Sequence, residues 1–173
     1  MPTRRTETPS ASQSKPKPRP RPTRSDGLVG VFSTLAEQHD QAAALLARLQ
    51  QDPGSRAEQW PVVRRELVSH EHSEVRELYP VLRQFEATRG FADRHDAEAR
   101  ELDALICRLD DLDVRSNAWA QALDKLVSTV LHHAKEEEEG KIFPAAQEAI
   151  GEARAVELDA KLLLAKQQIG QQQ

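Results

Sequence analysis

Two stretches decide the reading: LVSHEHSEVRELYP at residues 67–80 and VLHHAKEEEEGKIFP at residues 130–144. In each, a histidine interrupts an apolar helical face: His70 falls three residues after Leu67, and His133 three after Val130. Residues three or four apart share a helix face, so Glu74 stands one turn above His70, and Glu137 one turn above His133. The same interruption occurs at His39, four after Leu35, and at His95, four after Phe91, which turns four of the six histidines inward. Left unpaired in one core, four imidazoles and two carboxylates would each be costly, and a bound cation relieves that cost better than mutual hydrogen bonding.

The pattern is duplicated. His39-Asp40, His70, Glu74 and Tyr79-Pro80 are echoed by His95-Asp96, His133, Glu137 and Phe143-Pro144, so that two helical hairpins each bring the same set. The echo carries one extra residue, because Pro80 lies ten residues after His70 and Pro144 eleven after His133. His132 with Glu136 is the competing pair on the last helix. Stepping back from His132 meets Thr129 and Lys125, whereas stepping back from His133 meets Val130 and Leu126, so the apolar face selects His133. Within the acidic run, Glu136 and Glu139 read as a solvated face and Glu138 as a neighbour of the ligands. Glu71 is turned about 100° from His70 and joins the set only if the helix is rotated, while His72 reads as a surface residue.

Working outward, apolar periodicity gives helices at about 27–51, broken by Asp52-Pro53-Gly54, and at about 57–87, with Pro61 tolerated in the first turn. A third helix runs from Phe91 to the acidic stretch at Asp110, and a fourth passes Trp119, Leu123, Leu126 and Val130 before ending or kinking near Pro144. Val156, Leu158, Leu162, Ala165 and Ile169 mark a shorter closing helix at 150–169. Short connections favour an all-α, antiparallel up-down-up-down four-helix bundle over residues 27–147, with the fifth helix packed on it.

Composition agrees, with aromatic residues at 4% and a single cysteine in 173 residues. One cysteine excludes an internal disulfide, a CxxC zinc ribbon and a Cys-ligated iron–sulfur cluster, so any metal is held by His and carboxylates. Cys107 falls off the core face. No apolar run approaches the roughly 18 residues of a membrane span, so a cytoplasmic protein without membrane contact is expected. Residues 1–26 form a basic, Pro-rich segment read as a disordered arm, in which seven Lys/Arg stand against Glu7 over residues 1–25. It is taken as a solubilising tail, with contact to nucleic acid or an acidic partner as the sharper alternative. There is no phosphate-binding Gly-rich loop, nucleophile elbow or His-Glu-x-x-His.

Through His39, His70-x3-Glu74, Tyr79-Pro80, His95, His133-x3-Glu137 and Phe143-Pro144, residues 28–168 resemble the hemerythrin HHE cation-binding family. The resemblance implies a four-helix bundle around a carboxylate-bridged di-iron centre, with those six histidines and glutamates as ligands to two iron ions under an oxo or hydroxo bridge. It departs at Ala99, where the oxygen carriers of the family have a further histidine. Ferritin-like di-iron proteins need Glu-x-x-His pairs, and no histidine here has a glutamate three residues before it. Two six-coordinate irons need about 12 bonds, of which this set leaves roughly two open. The expectation is a non-haem di-iron protein that binds or senses dioxygen, nitric oxide, peroxide or iron. Two alternatives stand beside it: an enzyme reducing peroxide or oxygen or donating iron for repair, and a structural bundle with an interacting arm. No tyrosine, cysteine or acid beyond the ligands stands out as a proton or electron source, which leans against the enzyme.

Overall fold

Helix α1 (Val31–Gln51) begins at Gly30 in the computed structural model, which describes residues 27–173; the basic arm and its partners lie outside the described residues. Gly30 has φ +56°, and a Cβ there would sit 2.5 Å from the backbone carbonyl carbon of Ala155. Only glycine allows the start of α1 to lie this close to the last helix. Asp52 ends α1, its side chain accepting a hydrogen bond from the Gly54 amide, and Pro53 cannot extend the helix.

Helix α2 (Arg56–Ser73) runs on through a π-helical turn, Glu74–Leu78, into Tyr79–Leu82, making one rod over 56–82. Helix α3 (Glu86–Asp110) returns antiparallel to it. Helix α4 (Asn117–Leu131), capped where Ser116 accepts from the Trp119 amide, becomes π-helical over His132–Ile142 and then regular again over Phe143–Ile150. Pro144 falls at the start of that regular segment, where a missing amide donor is cheapest, so the helix passes it. Gly151, at φ +77°, turns the chain into α5 (Glu152–Gly170), which lies along α2 and α1. Among the described residues there is no strand, and no helix is long and apolar enough to cross a membrane.

The core is divided in two. One cluster gathers Phe32, Leu35, Leu78, Leu82, Phe143 and Leu158. The other gathers Leu46, Leu49, Leu67, Leu109, Leu123 and the edge-to-face pair Trp60 and Trp119, whose rings lie 5.8 Å apart. On every bundle helix the inward histidine falls where the chain passes from one cluster to the other: between Leu35 and Leu46, Leu67 and Leu78, Ala92 and Leu102, Val130 and Ile142. The polar layer is thus sealed at both ends by apolar packing. On α5 the buried face is Ala155, Leu158, Leu162 and Ala165; Val156, expected inside, is 59% exposed because the face starts one residue earlier.

Candidate metal centre

His39, His70, Glu74, His95 and His133 are brought together as the sequence predicts; Glu137 is not. Its side chain lies toward solvent, 2.5 Å from Lys141 Nζ, and its place in the layer is taken by Glu138, which is fully buried. The cause is the π-helical stretch: there the backbone bonds i to i+5, so the residue sharing the His133 face is the fifth after it and not the fourth. Glu71, expected inside only on rotation of the helix, is also buried in the layer. Two groups result, each with ligand atoms within 4.8 Å of one another: His39, His70, Glu74 and Glu138, then Glu71, Glu74, His95 and His133. Glu74 belongs to both.

Helical geometry explains the sharing. Relative to His70, Glu71 is rotated about 100° and Glu74 about 40°. Helix α2 lies between α1 and α3, so His70 faces His39 on α1 and Glu71 faces His95 on α3, with Nε2 of His95 3.2 Å from a Glu71 oxygen. Glu74, between the two directions, lies 3.3 Å from His70 Nε2 and 3.7 Å from His95 Nε2. Across the bundle, Glu138 lies 3.0 Å from His39 Nε2, 3.6 Å from His133 Nε2 and 4.0 Å from His95 Nε2. Every imidazole thus turns Nε2 inward.

Groups outside the layer lie against the far ring nitrogens of three of the four histidines, while His95 Nδ1 is buried with no hydrogen-bond partner. His39 Nδ1 donates to Glu139 at 2.9 Å, and His70 Nδ1 donates to Gln38 Oε1 at 2.9 Å. His133 Nδ1 lies 3.2 Å from Glu98. Such outer partners fix the ring's direction and leave Nε2 as the lone-pair nitrogen facing in. Glu139, read from sequence as solvated, is buried for this reason and is further tied to Lys135 at 2.7 Å. Lys166 of α5 adds a second hydrogen bond to Gln38 Oε1, at 3.0 Å. His72 pairs with Asp103 at the surface, and Cys107 is exposed, both as expected.

Tyr79 was not expected here. Its ring stacks on His95 with centroids 3.4 Å apart, and its hydroxyl donates to Glu138 Oε1 at 2.6 Å. It sits on the second group's side of the layer, and the signal was present in the sequence: Tyr79 lies five residues after Glu74, one π turn along the same rod.

What remains is an excess of inward-facing ring nitrogens and carboxylate oxygens that face one another without well-directed hydrogen bonds. His39 Nε2, Glu71 Oε1, both Glu74 oxygens, His95 Nε2, His133 Nε2 and Glu138 Oε2 are buried without a hydrogen-bond partner. At about 1–3 kcal/mol each, these are too many for a structural polar core. Imidazole nitrogen and carboxylate oxygen in this number fit a transition-metal cation. The electrostatics point the same way. Burial pushes Glu71 up to about 7 and Glu74 well above the usual carboxylate range, and both are pushed further by Glu138. Burial opposes charge on His133, yet the Glu138 and Glu98 carboxylates carry it up to about 9; His95, with burial uncompensated, falls to about 4.

A family model, described as Hemerythrin HHE cation binding domain, matches residues 30–146, which span α1 to the regular end of α4 and leave out α5. No curated protein and no solved structure matches the chain.

Proposed function

Since the chain belongs to the hemerythrin HHE cation-binding domain family, we propose that its two side-chain groups would hold two iron ions, Glu74 being common to both groups and Glu138 facing histidines of both, and that the centre binds or senses dioxygen, nitric oxide or peroxide. The observation that supports this most is the pair of four-residue groups sharing Glu74, filled with inward-facing orphan atoms. Iron held this way supplies open coordination positions and a change of oxidation state to a small ligand. The protein's own part is to orient the imidazoles through Glu139, Gln38 and Glu98, and to exclude bulk water with the apolar clusters above and below. It also leaves space: a cavity of about 350 Å³ adjoins the layer and is lined by His39, Glu71, Val130 and His133.

Metal content and the optical spectrum of the purified chain test this reading, beside a His70→Ala/His133→Ala double variant. About two irons per chain, absent from the variant, are expected; a folded helical protein that takes up no stoichiometric iron would sink it. A second reading, reduction of peroxide or oxygen, is favoured by one observation. The Tyr79 hydroxyl, held protonated by burial and by the nearby carboxylates, is a proton donor touching Glu138. If Tyr79→Phe keeps its metal but loses reductant-dependent peroxide consumption, the enzyme reading takes precedence.

The metal-free centre carries protons that a cation must displace. Glu71 at about 7, Glu74 above the carboxylate range and His133 at about 9 all hold protons near pH 6.5. Binding therefore releases protons, and affinity rises with pH, about tenfold per unit for each proton displaced. Titration against a competing chelator between pH 6 and 8 should show at least that slope; a flat profile would mean that these groups are not the ones a cation meets.

A further inference from the structure

The cavity beside the layer opens between α3 and α4, and its rim collects Glu98 and Glu101 from α3 with His132 and Glu137 from α4. One of these, Glu137, is the residue that sequence spacing offers as a ligand and that the π-helical register turns away from the layer. The rim is acidic. Glu101 is exposed and has no ion-pair partner among the described residues, while Glu137 is bound to Lys141 and lies 3.8 Å from His132. At the inner end the cavity is lined by Glu71, 2% exposed and with Oε1 unbonded, and by His133, whose Nε2 makes no hydrogen bond. Carboxylates thus stand at the outer end of the opening, and unsatisfied cation ligands at the inner end.

We propose that the slot between α3 and α4 is the route by which a divalent cation reaches the centre, with Glu101 and Glu137 drawing it in and Glu71 and His133 receiving it. This rests on the metal-binding reading of the centre. Carboxylates around a narrow mouth with low-dielectric walls concentrate cations and raise their rate of entry, by about ten- to a thousandfold, in a salt-dependent way. They do so without changing the final complex, because they do not touch the bound ion. Glu98 has a second role, since it also lies against His133 Nδ1; the rim is therefore tested through the other two acids.

The experiment follows cobalt(II) uptake by the metal-free full-length chain, by stopped-flow absorbance, in the native protein and in Glu101→Gln/Glu137→Gln. A control, Glu58→Gln/Asp111→Asn, removes the same charge away from the cavity, where α2 begins and α3 ends. The rim variant should load about tenfold more slowly at low salt, reach the same final stoichiometry and spectrum, and approach the native rate at 0.5 M salt. The control should load at the native rate. Equal rates in native and rim variants at low salt would overturn the route while leaving the centre intact. An equal slowing in the control would also overturn it, because the effect would then be one of net charge. Reduced final stoichiometry in the rim variant would overturn it too, making these acids ligands. A native chain that binds no cobalt at saturation would overturn the centre, and the route with it.

Discussion

Glu138→Gln is expected to cost the centre about a hundredfold or more in cation affinity, whereas Glu137→Gln leaves affinity and stoichiometry unchanged. The two residues are neighbours of identical chemistry in a run of four glutamates, so composition and net charge cannot account for a difference between them. Position alone separates them. Glu138 is fully buried, with oxygens 3.0 to 4.0 Å from Nε2 of His39, His133 and His95, while Glu137 faces Lys141 and His132. Removing even a residue that merely orients a metal ligand costs about 10- to 100-fold, and a direct ligand costs more. Equilibrium titration with a competing chelator measures both. Loss of metal from Glu137→Gln with retention in Glu138→Gln would mean that α4 is regular through this stretch and that the π-helical register does not hold.

That contrast marks the limit of what the sequence discloses. The bundle was legible because each helix repeats its apolar face every three or four residues, and because the residue interrupting each face is a histidine. Val31, Leu35, Leu46 and Leu49 on α1 would read the same with any inward polar residue in place of His39. The register of α4 was not legible by the same rule, since stepping four residues from His133 assumes a regular helix. The correction lay in the aromatic-Pro dipeptides. Glu74 precedes Tyr79 by five residues, and Glu138 precedes Phe143 by five; His70 precedes Tyr79 by nine, and His133 precedes Phe143 by ten. Aligned on the dipeptides, the echo pairs Glu74 with Glu138 and puts the extra residue between His133 and Glu138, where one inserted residue makes a π turn. Glu71 was missed for another reason. One ligand stripe per helix does not describe α2, which faces two neighbours and presents His70 to α1 and Glu71 to α3.

A buried layer assembled for a cation destabilises the chain that lacks one, and replacing two of its carboxylates by leucine should show it. In the metal-free state, Glu71→Leu/Glu74→Leu is expected to raise the stability at pH 8 by about 3 kcal/mol or more, and to abolish metal binding. The sign follows from the raised carboxyl groups. Burial moves Glu71 from 4.5 to about 7, and Glu74 upward as well, so the folded chain holds protons that the unfolded chain has released. For Glu71 alone this costs nothing below pH 4.5, grows as pH rises, and levels above pH 7 at on the order of 3 kcal/mol. The gain from leucine is therefore larger at pH 8 than at pH 4, where only the removal of unbonded buried oxygens contributes. Chemical denaturation of both metal-free proteins at the two pH values measures it. With metal present the order reverses, because binding stabilises only the native sequence, by about 4 kcal/mol at a thousandfold excess over the dissociation constant. A double variant less stable than the metal-free native chain at pH 8 would mean that the carboxylates hold the helices together by pairing with the histidines, and that the layer is structural in its own right.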